Sequence, residues 1–184
     1  MKKFTVAILP LVMAAGFANA AEPAIPQTVA GGTVNFTGSI VNTPCAVDVD
    51  STNQTVTLGQ YRQSSFKQTG DTSAPVNFSI GLVDCSVDVY KSAAITFKGQ
   101  TMDGKQDVLA LNGGSASEQT AEGVGIQILQ NSTPVAVDGS TPAGTTALLE
   151  GANNIAFQAR YISTAETVSA GAADSMAEFT ITYQ

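Results

Sequence analysis

The sequence predicts an all-β sandwich. Three observations lead there: short apolar runs that alternate with period two, turn residues between them, and little helical periodicity. The 184 residues suit one domain. A hydrophobic content of 43% is enough to fill a core.

The first segment is an address. Met1-Lys2-Lys3 is followed by a mostly apolar run from Phe4 to Phe17, then Ala18-Asn19-Ala20. This is a charged start, an apolar centre and a small-residue cleavage site, so residues 1–20 are predicted to be a signal peptide. The apolar run is shorter than the roughly 20 residues a spanning helix needs, and it carries Pro10. N-terminal sequencing of surface material should therefore begin at Ala21, and an intact Met1 would refute export.

The strands follow in order. Val34 to Ile40 alternates, with Val34, Phe36, Gly38 and Ile40 on one face. Thr55-Val56-Thr57-Leu58 is a short strand ending at Gly59. Val76 to Val83 alternates at first and then runs towards Cys85, while Ala94 to Phe97 stops at Gly99. Val108 to Leu111 precedes Asn112-Gly113-Gly114, a strong turn signal. Val124 to Gln130 is a β run closed by Asn131-Ser132-Thr133-Pro134. Asn154 to Tyr161 puts Ile155, Phe157, Ala159 and Tyr161 on one face, and Ala177 to Gln184 alternates throughout. Thr164 to Asp174 is Ala-rich but holds Gly171 and no large apolar stripe, so it reads as loop. The Gly/Ser stretch from Gly113 to Gly123 reads as a long surface loop. The set fits a sandwich of immunoglobulin-like size.

Export changes the reading of the thiols. Outside the cytoplasm, Cys45 and Cys85 are predicted to form a disulfide, with two buried free thiols as the alternative. Composition narrows function as well. The net charge is −7 with no Lys/Arg cluster, so nucleic acid is an unsuitable partner. Zero His removes Ser-His-Asp and Cys-His catalysis and every His-bearing zinc site. Asp48, Asp50, Asp84 and Asp88 lack the spacing of a calcium loop and read as solvated carboxylates. No catalytic, cofactor-binding or metal-binding set stands out, and no cofactor is expected.

Two segments look unfinished. Ala177, Phe179, Ile181 and Tyr183 share one face of a strand after which nothing follows, so a further neighbour on it would come from elsewhere. Ala21 to Thr33 is small, polar and Pro/Gly-bearing, and leads into the alternation at Val34. A free arm ending in a β pattern suits strand addition to a sheet edge. The alternative is that both are ordinary terminal strands of one sandwich, since alternation names no partner.

A resemblance enters through Gly31-Gly32-Thr33-Val34-Asn35-Phe36-Thr37-Gly38, Cys45-Ala46-Val47-Asp48 and Gln54-Thr55-Val56-Thr57-Leu58-Gly59. It continues through Asp84-Cys85, Val108-Leu109-Ala110-Leu111, Gly123-Val124-Gly125-Ile126-Gln127-Ile128-Leu129 and Phe157-Gln158-Ala159-Arg160-Tyr161, ending on Gly171 and Tyr183. As an ordered set these motifs resemble the major subunit of type 1 fimbriae, in the chaperone–usher pilin family. The arm before Gly31, with Glu22, Pro23 and Pro26, is the main departure. The resemblance implies an incomplete immunoglobulin-like β-sandwich completed in trans by a donated strand. It implies a signal peptide at 1–20, a donor-strand extension at 21–40 and a pilin domain at 41–184. The donated face would be Val34, Phe36, Gly38 and Ile40. The acceptor groove, which also binds the chaperone, would be lined partly by Phe179, Ile181 and Tyr183. Implied partners are identical or related pilin subunits in a homopolymer, a periplasmic chaperone and an outer-membrane usher. The implied location is a cell-surface fimbrium reached through the periplasm. The function implied is a structural, non-enzymatic shaft subunit of an adhesive fimbria. The competing reading is an exported β-sandwich adhesin that binds a glycan itself, although the chain has no Trp.

Overall fold

A computed structural model describes residues 26–113 and 119–184. The signal peptide and its cleavage site lie outside the described residues, as do the start of the arm and part of the Gly113–Gly123 loop. The chain divides into two compact units, Met1–Ser39 and Ile40–Gln184. In the first, residues 26–39 form no strand and are exposed.

The second unit is built of strands, with two short 3-10 turns at Val49–Ser51 and Gln63–Ser65 and no α-helix among the described residues. The strands are β1 (Ala46–Val47), β2 (Val76–Cys85), β3 (Ser92–Gly99), β4 (Thr101–Met102) and β5 (Lys105–Leu109). Then come β6 (Val124–Gln130), β7 (Thr133–Pro134), β8 (Thr146–Ala147), β9 (Gly151–Ser163) and β10 (Ala177–Tyr183). They form two antiparallel sheets. The larger runs β1-β2-β9-β6-β5-β4, with β7 also on β6; the smaller runs β10-β3-β8.

The alternation read from the sequence becomes the core. Ile80 and Leu82 of β2, Ile126 and Ile128 of β6, and Ile155 and Phe157 of β9 point inward from the larger sheet. Ala93, Ile95 and Phe97 of β3 meet them from the smaller one. The aromatic rings join the layers: Phe97 meets Phe157 edge-on at 5.0 Å, and Phe157 stacks on Phe78 at 5.6 Å. A satellite cluster of Phe66, Ala121, Val124 and Val168 sits under the loop that precedes β10.

Three expectations change. Thr55–Leu58 is not a strand: no backbone hydrogen bond reaches it among the described residues. Alternation set which side is apolar, with Val56 and Leu58 packed against the core, but it could not supply a partner. The run at Val108–Leu111 begins earlier, at Lys105, and ends at Leu109, where Ala110 bonds to Gln100 instead. Val34–Ile40 likewise forms no strand within the chain. The Thr164–Asp174 segment is loop.

Cys45 and Cys85 are joined as a disulfide across 40 positions. It ties the residue before β1 to the end of β2, beside Asp84, whose φ of 52° lies in the left-handed region that Asp tolerates. Closing a loop of this length stabilises by about 4 kcal/mol in the chain-entropy model. That is a large share of a domain's roughly 5–15 kcal/mol. Cys45→Ser should therefore lower subunit yield sharply, as read by immunoblot of the exported fraction. An unchanged yield would show that the bond is dispensable.

Gly171 holds the approach to β10. A Cβ there would overlap the carbonyl oxygen of Gln119 and stand 2.5 Å from the nitrogen of Ala121. Both are backbone atoms, fixed by the bonds Ala172 N–H to Gln119 O and Ala121 N–H to Ala172 O. Gly171→Ala should cost about 1–3 kcal/mol as overpacking, measured as a lower Tm of the purified subunit.

The open flank of β10, a candidate strand-acceptor site

β10 pairs along its whole length with β3, in the register Ala177↔Gly99, Phe179↔Phe97, Ile181↔Ile95, Tyr183↔Ala93. Its sequence alternates, so Ala177, Phe179, Ile181 and Tyr183 lie on the core side and Glu178, Thr180 and Thr182 on the other. The core face changes sharply across this one ladder. On β3, Ala93, Ile95 and Phe97 are 0%, 1% and 4% exposed. Their direct partners on β10 are only half-buried, although they pack against the same core.

The cause is the missing neighbour. No backbone hydrogen bond leaves the other edge of β10 among the described residues. That edge presents a row of unpaired N–H and C=O groups, a template for another chain. Val56 and Leu58, on the unpaired segment that sequence reading took for a strand, border the same core and are also only partly buried. They were missed as site residues, although their alternation was visible. Phe78 and Val87 add further apolar wall.

Tyr183 closes one end. Its hydroxyl donates to the carbonyl of Cys45 at 3.4 Å, and burial pushes its pKa above the ordinary tyrosine value. It is thus a neutral donor, and the face shared by Phe179, Ile181 and Tyr183 carries no charge. At the other end, beyond Ala177, a cavity of about 470 Å³ is lined by Tyr61, Phe66, Ala121, Val168 and Asp174 among others. No group of three or more His, Cys, Asp or Glu positioned for a metal ion occurs among the described residues.

The arrangement suits one chemistry: an extended strand with an apolar side chain at every second position, hydrogen-bonded along β10. Val34 to Ile40 has that form. It is seven residues long, as β10 is. Phe36 is 91% exposed, and Val34 and Ile40 are exposed as well. Three large apolar side chains exposed at alternate positions along one short segment form a continuous apolar edge, the kind of feature that marks an interaction site. Gly38 has nothing within 4 Å of where a Cβ would stand.

The chain is similar to several known proteins. A family model described as "Fimbrial protein" matches residues 34–184. The "Fimbrial subunit type 1" of Salmonella typhimurium is 44% identical over 184 residues, covering 100% of this chain and 98% of that protein. Among solved structures, the P pilus rod subunit PapA aligns with a TM-score of 0.64 at 25% identity, over 77% of this chain and 100% of that one. A subunit from a chaperone–usher pilus structure concerned with rod uncoiling aligns with a TM-score of 0.70 at 27% identity, over 89% and 100%.

Proposed function

Since the chain belongs to the fimbrial protein family, we propose that it is a structural pilin whose copies join by donating the Val34–Ile40 strand into a neighbour's β10 flank. Its place is a surface fimbrium, and its relatives include pilus rod subunits. The single observation that carries the strand donation is the loss of burial from β3 to β10 on one continuous face. A face that ends half-covered on an unpaired edge is a sheet awaiting a strand.

The donor would be residues 21–40 and the acceptor body residues 41–184. Val34, Phe36 and Ile40 would fill the flank, with Gly38 where the backbone must lie close. Residues 1–20 would direct export into the periplasm. There a chaperone would cover Phe179, Ile181 and Tyr183 until an outer-membrane usher exchanges it for the next subunit's arm. No step in this account needs catalysis. The names of the relatives favour a shaft subunit over a glycan-binding adhesin.

Electron microscopy of cells with and without the gene tests the function. Filaments should disappear with the gene and return with it on a plasmid. Persistence of the same filaments without it would overturn the assignment.

A further inference from the structure

The loops at the Tyr183 end of β10 carry exposed apolar side chains that strand donation does not use. Val89 is 77% exposed and Leu149 71%, with Tyr90 beside them also exposed. The two loops are tied together: Leu148 N–H donates to Lys91 O at 2.8 Å, and Val87 N–H to Glu150 Oε2 at 3.1 Å. They are tied equally to the place where the arm joins the body, because Ser86 N–H donates to Pro44 O at 2.9 Å. Val89, Tyr90 and Leu149 are therefore held on one rigid end, around the root of the arm.

Chain length then limits where a neighbour can be. Ile40 is the last residue of the donated face, and Cys45 is fixed by its disulfide. Only Val41, Asn42, Thr43 and Pro44 lie between. Five Cα steps span at most about 17 Å. A copy that accepts Ile40 must bring one end of its groove within that distance of Cys45, at the end of the body where Ser86 ties the Val87–Lys91 loop to Pro44.

Which end follows from the acceptor's own arm. At its Tyr183 end, the acceptor's own arm root lies beside β10, marked by the Tyr183–Cys45 contact. The Ala177 end is the end of β10 away from that root. There Met176 is 71% exposed, next to the 470 Å³ cavity bordered by Ala172 and Asp174. Copies joined this way repeat head to tail, through two different surfaces, an arrangement that extends into an open filament when its rotation does not close.

We infer that the Val89–Tyr90–Leu149 tip docks on the Met176 end of the next copy of this chain, a body-to-body contact that stiffens the short Val41–Pro44 link. The inference rests on the strand-donation reading, which fixes Ile40 in the neighbour. Apolar side chains on both surfaces would leave water on contact. The link alone, with rotatable bonds from Val41 to Thr43, would otherwise let successive bodies swing.

The test is cross-linking in purified filaments. Both native cysteines are engaged in the disulfide, so new ones report cleanly. A subunit with Leu149→Cys and Met176→Cys should, on mild oxidation, give a covalent ladder on a non-reducing gel, with the 149–176 peptide pair found by mass spectrometry. Neither single variant should do so. Filaments of the double cysteine variant that give no 149–176 link overturn the proposal. A link formed by Leu149→Cys alone overturns it too, because like ends would then meet. As a second reading, Val89→Asp with Leu149→Asp should leave detergent-resistant subunit ladders intact but shorten the filament's persistence length at least twofold in micrographs. Unchanged stiffness would count against the contact. Loss of the ladders themselves would instead point to the arm, as Phe36→Asp would, so failure of the two readings can be told apart.

Discussion

Phe36→Asp is expected to abolish filaments while leaving chaperone capture intact. In the free subunit the Phe36 ring is in water, so the substitution removes no packing and should not unfold the body. In a filament the same position would enter an apolar slot beside Phe179 and Ile181. An unpaired carboxylate in such a slot costs about 3–5 kcal/mol, a factor of at least about a hundred in joining subunits. The lost burial of the ring adds to that. On the proposed reading a chaperone would hold the subunit's own groove rather than its arm, so pull-down with the chaperone should be unchanged. Normal filaments from this variant would end the donor-arm account. Loss of chaperone binding would mean that Val34–Ile40 serves the subunit's own core.

Tyr183→Asp should have a different profile, losing capture and filaments together. Tyr183 packs on the core, and its hydroxyl reaches the Cys45 carbonyl. The shorter Asp withdraws both and sets a charge at the rim of a face that otherwise has none. Any strand laid along β10, from a chaperone or from a neighbour, would meet that charge. The expected loss is of the same order, about 3 kcal/mol or more. Chaperone pull-down and filament counts read the two effects separately. A variant that binds chaperone normally yet forms no filaments would show that the two partners use different surfaces. The contrast between the two substitutions carries the meaning: one acts on donation alone, the other on acceptance by whatever partner.

The parts of this fold that were legible in the sequence are those whose pattern answers to their own neighbours. β6 and β9 carry Ile126, Ile128, Ile155 and Phe157 at spacing two and bury all four; in β9 burial alternates around Ile155 and Phe157 with the pattern, whereas β6 is buried at every position. β4, β7 and β8 are two residues each, too short for any period to register. Thr55–Leu58 and Val34–Ile40 alternate equally well but have no partner in the chain. Side-chain pattern is a property of one strand, whereas a ladder is a property of two. The polar row on the larger sheet was illegible for a similar reason. Arg160 donates to Gln127 Oε1 from both Nε and Nη2, and Gln127 Nε2 donates to Asp107 at 2.6 Å. Gln127 is buried, and its satisfaction depends on β5 and β9 lying on either side of it. In the site, Phe179, Ile181 and Tyr183 could be read from the last strand. Val56 and Leu58 could not, because nothing local says that a strand without hydrogen bonds borders the same opening.

On the proposed reading, another copy supplies the strand missing beside β10. A density map of the assembled filament, at a resolution that traces main chain, tests this most directly. Residues 34–40 of one copy should lie along the outer edge of β10 in the next, with Phe36 buried and the Val56–Leu58 segment on the far side. Residues 34–40 paired within their own copy, or an outer edge of β10 still open to solvent in the filament, would contradict it.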